Sequence, residues 1–308
     1  MELLEYILRR ILLAIPIFLA ASILVFLLIH MAPGDPVEVL ISPKLGEEAV
    51  EQRKQELGLN KPLYVQYFKF MKRFLSGNLG RSIFLQKPVS VLLAERLPPT
   101  LRLNLASLVL SYLIAIPAGI IAAMHRGQFL DYAVMGVALL GIAMPSFWLG
   151  LLLMLLFSVK LGWLPVSGYG SLAHLVLPAI TLGAYGAALT SRVVRSNMLE
   201  VINKDYITTA RAKGLKELLV VCKHAVRNAL IPVISLLGLR IGWLIGGAVT
   251  IEVVFHRLGV GRLMINSIYR RDYPVVQAII LILAISVILG NLLADILYGL
   301  INPKIRYK

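Results

Sequence analysis

Ionisable side chains are scarce inside the long apolar runs of this sequence, and two stand out: Arg240 in "GLRIGWLIGG" and Asp295 in "LLADILYG". A charge at the centre of a hydrocarbon layer costs roughly 2.5–3.5 kcal/mol on insertion scales, so each must face a partner or a wet cavity. Two chemistries are open to them. They could form a structural ion pair with one another, or Arg240 could face a wet cavity and grip a carboxylate bidentately, since its fixed charge would repel a bare divalent metal. Other chemistry finds little material. The histidines at 30, 125, 174, 224 and 256 show no metal-ligand spacing, Met144 and Met154 read as packing residues, and no metal site is assigned. No His, Asp, Glu or Ser cluster gathers as a membrane enzyme would need, so no catalytic residue is assigned. The chain has no Gly-Lys dipeptide and hence no phosphate loop, so any ATP must be handled by another chain. The single Cys222 excludes an internal disulfide.

The elements that would position these residues follow from composition. The 308 residues are 58% hydrophobic and 15% charged, against about 45–50% and 25% in ordinary soluble domains. Runs of about 20 apolar residues, each able to cross about 30 Å of hydrocarbon as a helix, give six expected spans near 7–32, 101–124, 131–158, 172–197, 229–254 and 275–301. The first run is too long for the apolar region of a signal peptide and is kept as a span. Prolines 16, 117, 145, 178 and 232 are tolerated kink points. Gly238, Gly242 and Gly246, spaced i, i+4 and i+8, form a stripe that lets another helix approach closely, either within the chain or from a partner.

The net charge of +15 lies between the spans, where anionic lipid headgroups explain it better than nucleic acid. With the N-terminus inside, the cytoplasmic segments carry fourteen Lys and Arg and the short outer loops five. Both termini are therefore expected in the cytoplasm, and residues 33–99 outside as a small domain with amphipathic candidates at Glu47–Leu57 and Leu63–Leu75. Arg257, Arg262, Arg270 and Arg271 run against the rule.

The cytoplasmic segment 198–228 is longer than a connection requires. In "DYITTARAKGLKELLVVCKHAVRNALIP", Asp205 is expected to cap a helix over 206–213 and Gly214 to end it in a left-handed conformation. A second helix then places Leu215, Leu218, Leu219, Cys222 and Val226 on one apolar stripe, opposite Lys216, Lys223 and Arg227. Such a basic, Gly-hinged unit is either a solvated loop or a docking site.

These residues carry a resemblance. "YITTARAKGL" followed by "HAVRNALIP" is similar to the cytoplasmic coupling loop of ABC-importer permeases of the dipeptide, oligopeptide, glutathione and nickel family. "HMAPGDP", "LGLNKPLYVQY", "MPSFWLG", "LGWLP", "RRDYPVVQ" and "NPKIRYK" extend the likeness over essentially the whole chain. It implies an all-α integral membrane protein with six transmembrane helices and the type I ABC-importer permease fold. The chain would be a single permease domain with a small extracytoplasmic insertion at 33–99. It further implies a permease subunit of an ATP-driven importer of di- or oligopeptides in the cell membrane. Its partners would be a related permease, two ATPases that bind ATP and Mg, and an extracytoplasmic binding protein. Asp205, Tyr206, Thr209, Ala210, Arg211, Lys213 and Gly214 would form the ATPase-coupling helix; Arg240 with Gly238, Gly242 and Gly246 would face the translocation pathway and the partner permease. A nickel or glutathione importer of the same family is the alternative, and an ion-driven secondary transporter the alternative from another class. The sequence departs from the family at "FHRLGVGRL", which lacks the usual Trp-Pro pair, at Thr208-Thr209-Ala210 in place of Glu-Ala-Ala, and at Arg240, where a glutamine is common.

Overall fold

A computed structural model describes residues 3–31, 60–246 and 248–301. The expected helix at Glu47–Leu57 and the words "HMAPGDP" and "NPKIRYK" lie wholly or mostly outside the described residues. Among the described residues the protein is helical, with a single isolated bridge between Arg81 and Pro88 and no strand.

The first helix, α1, spans Leu3–Met31, and α2 spans Leu63–Leu75. Rather than standing off as a separate body, α2 lies along α1. Phe74 meets Phe18 at 6.3 Å, Tyr67 meets Phe26 edge-on at 5.5 Å, and the Ser22 and Tyr67 hydroxyls are 2.8 Å apart. These aromatic rings form the apolar face that the 3.6-residue period of "LYVQYFKFMKRFL" creates.

The long helix α3, Val89–Met124, carries Pro98 and Pro99 inside it. It therefore begins twelve residues before the apolar run expected at 101. At about 1.5 Å per residue its 36 residues exceed a hydrocarbon core, so one end stands in the polar layer. Next, α4 spans Phe129–Ala143 and α5 spans Ser146–Leu153, continuing as a π-helical turn over Met154–Lys160. The two halves meet at 110°, because Met144 precedes Pro145 and is held extended. The single run expected at 131–158 is thus a sharply broken pair.

Helix α6, Ala173–Ile202, packs along α3 in the most extensive helix contact of the molecule. Gly119 and Gly183 make this possible. A Cβ on Gly119 would lie 2.6 Å from the Ser191 carbonyl oxygen, and one on Gly183 would lie 2.9 Å from that of Ser107.

After the short α7, Asp205–Ala212, α8 runs over Glu217–Ala229 with a π-helical middle at Val220–Ala225. It bends 47° into α9, Ile231–Gly242. The run expected to continue to 254 stops at Gly242; turns then lead to α10, Val249–Val254, and on to α11, Val260–Tyr269. The closing helix α12 spans Tyr273–Ile301 and packs on both α9 and α1. Among the described residues four helices are long and apolar enough to cross a membrane, or up to six spans if each bent pair counts as one.

Candidate functional site

The segment after α6 folds into a unit with its own buried core. Ile207 and Ala210 of α7 enter a cluster with Val194 and Met198 of α6, Val220, Val221 and Ala225 of α8, and Ala123 of α3. One face of α7 is thereby fixed to the ends of two long helices. On the other face Asp205, Tyr206, Thr208, Thr209, Arg211 and Lys213 are exposed. A rigid helix with a buried inner side and a polar outer side can transmit a push to α3 and α6 without bending.

The local chemistry explains its bounds. Gly214 has φ +75°, the left-handed conformation expected, and its N–H donates to the Arg211 carbonyl at 2.9 Å. Arg211 then reaches across this turn to Glu217, with Nη2 donating to Oε1 at 2.6 Å and Nε to Oε2 at 3.0 Å. Hydrogen bonding to Glu217 raises the pKa of Arg211, and hydrogen bonding to Glu200 raises that of Lys204. Asn228 of α8 donates to the Tyr206 hydroxyl at 3.0 Å, tying the exposed face to the next helix.

Two expectations need correction. Asp205 does not cap α7: Lys204 occupies the capping position, no side chain caps the helix, and Asp205 is its first residue. There its charge favours the helix N-terminus without a hydrogen bond. The stripe expected on α8 forms only at its ends, where Leu215 and Val226 pack against the core. Leu218 is 76% exposed and Leu219 and Cys222 are exposed, while Val220, Val221, Ala225 and Ala229 are buried. Within the π-helical turn, which adds a residue to one turn, Val220, Val221 and Ala225 take the buried side and leave Cys222 exposed.

Farther into the bundle, α9 divides its faces. A Cβ on Gly238 would lie 2.5 Å from the Ala294 Cβ, one on Gly242 would lie 3.3 Å from the Gly290 Cα, and one on Gly246 would lie 3.3 Å from Leu283. The glycine stripe therefore seats α12 of the same chain, the within-chain one of the two contacts that its spacing allows. Arg240 points the other way. Its guanidinium stands 5.5 Å from the Tyr185 ring of α6 and lines a cleft of about 70 Å³ with Asn104, Ser107 and Ser111 of α3. Asp295 is bound instead by Arg10 at 3.0 Å, so the pairing of Arg240 with Asp295 is not formed.

Three polar nodes were not singled out from the sequence. Asp131 at the start of α4 takes a bidentate contact from Arg195 of α6, at 2.5 and 2.6 Å, and accepts from the Gly127 N–H. Glu252 is buried, accepting from Thr100 Oγ1 at 2.5 Å and from the Arg262 N–H at 3.1 Å at the start of α11. Gly259 lies so close that a Cβ there would be 2.1 Å from the Glu252 carboxylate, which explains why "LGVGRL" is glycine-rich. Asp272 holds the backbone of 82–84, accepting from Ile83 N–H at 3.0 Å and from the Ser82 hydroxyl. The signal was available for each: an acidic residue inside or beside an apolar run needs a buried partner.

Residues 115–307 match the family described as binding-protein-dependent transport system inner membrane component, and residues 3–104 match its N-terminal counterpart. The glutathione transport system permease protein GsiC of Escherichia coli strain K12 is 45% identical over 305 residues, covering 99% of this chain and 100% of that protein. GsiC of Salmonella paratyphi A is 44% identical over the same length. Among solved structures, an inward-facing conformation of the MetNI methionine ABC transporter aligns with a TM-score of 0.58 at 21% identity, over 69% of this chain and 97% of that one. The chain belongs to the family of binding-protein-dependent transport system inner membrane components and is the permease component of such an ABC importer.

Proposed function

We propose that this permease carries di- or oligopeptides or a peptide-like molecule such as glutathione, in partnership with a related permease, two cytoplasmic ATPases and an extracytoplasmic binding protein. Six spans are formed, the two bent pairs each counting as one, with both termini in the cytoplasm and residues 33–99 outside. ATP and Mg are bound by the ATPases. Helix α7, with Asp205, Tyr206, Thr209, Ala210, Arg211 and Lys213, and Gly214 at its end, sits in a cleft of an ATPase. Closure of the ATPases moves α7 as a rigid body and rocks the spans between inward-open and outward-open states. Arg240 lines the pathway, held in place by the glycine face of α9 on α12. Leu218 and Leu219, exposed beside α7, extend the ATPase contact.

The observation that carries this reading is the two-faced α7, cemented to α3 and α6 by Ile207 and Ala210 while its polar side stands free. The peptide-like substrate class rests on the 45% identity with a glutathione permease. The experiment uses single cysteines in a Cys222→Ser background of the assembled complex. Thr209→Cys should crosslink to an ATPase subunit, and Lys87→Cys and Lys216→Cys should react with an impermeant thiol reagent from opposite sides. Crosslinking of Thr209→Cys only to the binding protein, or labelling of both lysine positions from outside, would overturn the coupling and the topology respectively.

A further inference from the structure

We propose that Arg240 and the Ser111 hydroxyl, in the cleft they line between α3, α6 and α9, form a carboxylate subsite of the pathway, which binds an ionised carboxyl group of the transported molecule. The inference deepens the function proposed above and rests on it.

Three observations converge on one point. The first is an uncompensated cation. Arg240 lies in an apolar stretch of α9, forms no ion pair among the described residues, and has lost its one plausible acidic neighbour, since Asp295 is engaged by Arg10. Arg240 is half-buried, and a partly desolvated cation without a counter-charge attracts an anion more strongly than a fully hydrated one would. The second is a vacant donor. Ser111 is 4% exposed and its Oγ has no hydrogen-bond partner; a buried hydroxyl in this state invites an acceptor. The third is the space between them. Both groups line one cleft, and both crowd the bare face of Gly186, where a Cβ would stand 2.8 Å from Ser111 Oγ and 3.1 Å from Arg240 Nη2 and would displace them.

The shape selects the ligand. Tyr185 faces the guanidinium at 5.5 Å, so the planar ion is oriented with an Nη2 edge towards Gly186. An arginine edge suits the two oxygens of a carboxylate, and the Ser111 O–H can donate to one of them. The cleft of about 70 Å³ equals roughly two water volumes at about 30 Å³ each. It takes a head group and leaves the rest of the molecule outside. A cation is repelled, and a neutral amide would leave the guanidinium without its counter-charge.

The test uses the complete importer in proteoliposomes with binding protein and internal ATP. A mixed pool of peptides two to four residues long is supplied either as free acids or as C-terminal amides, and the contents are read by mass spectrometry. Stimulation of ATP hydrolysis by the loaded binding protein in the unmodified complex checks the proposed function separately; its absence would sink that reading. In the complex that passes, Arg240→Gln and Gly186→Ala should each lower free-acid uptake about ten-fold, with Arg240→Lys intermediate, and amide uptake should change less than about two-fold. Free-acid uptake kept within about two-fold by Arg240→Gln overturns the subsite. So does an equal fall for acids and amides, or an unmodified complex that hydrolyses ATP but carries none of the pool. If Arg240→Gln fails to assemble, Gly186→Ala decides: normal free-acid uptake in that variant overturns the proposal.

Discussion

The glycines at 214 and 238 occupy opposite extremes of what the residue can do. Gly214 adopts φ +75° with no atom within 4 Å of where a Cβ would lie, so it supplies conformation and nothing else. Gly238 is helical, and its missing Cβ is the space that Ala294 occupies at 2.5 Å. One glycine ends a cytoplasmic helix; the other lets two long helices touch. The contrast shows that glycine near a coupling element and glycine along a span are not evidence of the same role. It also separates their failures. Filling Gly238 should damage the permease itself, whereas filling Gly214 should leave the permease intact and damage its communication with partners.

The largest effect should therefore come from the α9–α12 contact. Gly290 opposes the stripe, and a Cβ on it would lie 2.0 Å from the Gly242 Cα, a clash with backbone that no side-chain movement relieves. Gly290→Ala and Gly238→Ala should each destabilise by about 1–3 kcal/mol or more, as overpacking does. The yield of assembled complex and its thermal midpoint in detergent would both fall. Full yield and an unchanged midpoint in Gly290→Ala would show that the two helices can part freely, and the distinction between the two kinds of glycine would collapse.

A smaller effect of a different kind is expected at Gly214. A β-branched residue with φ above zero is strained by about 1–2 kcal/mol, and the open surroundings mean that the strain stays local. Gly214→Val should assemble normally, yet lose stimulation of ATP hydrolysis by the loaded binding protein as the end of α7 is reshaped. Gly214→Asn sharpens the test, because asparagine tolerates the left-handed conformation and should keep most of the stimulation. Equal loss in both variants would mean that bulk rather than backbone conformation matters there.

This division was only partly legible in the sequence. The i, i+4, i+8 spacing of Gly238, Gly242 and Gly246 announces a close helix contact, but spacing does not name the partner helix. The choice of α12 depends on Gly290 and Ala294, more than forty residues away. Gly214 was readable because "RAKGLK" is a local signal: a helix end needs only its own neighbours. The same rule sorts the other results. The α7 helix and the long spans follow from nearby residues, whereas the phase of α8 was lost because no sequence period encodes the π-helical turn at Val220–Ala225. Pro145 was marked as a kink point, but a proline alone does not state that the break there is 110°. Arg240 was visible as an isolated charge. That Asp295 belongs to Arg10 was not, since an ion pair between α12 and α1 is settled by tertiary packing alone.

The smallest effect concerns the bridge that spans Gly214. Arg211 and Glu217 are 40% and 50% exposed, and their bidentate contact crosses the turn rather than stiffening a helix. Exposed pairs contribute about 0–1 kcal/mol, so neither Arg211→Ala nor Glu217→Gln should lower the assembled yield, and stimulation of ATP hydrolysis should fall at most about five-fold. If the pair acts by holding α7 against the start of α8, the two single variants and the double variant should lose equal amounts, and raising salt should reproduce part of the loss in the unmodified complex. A different pattern would alter the account of this end of the molecule. Should Arg211→Ala abolish stimulation while Glu217→Gln has none of that effect, the guanidinium must leave Glu217 and bind the ATPase directly. Gly214 would then matter for aiming a side chain as well as for ending a helix, and the clean contrast with Gly238 would need to include a contact made by its neighbour.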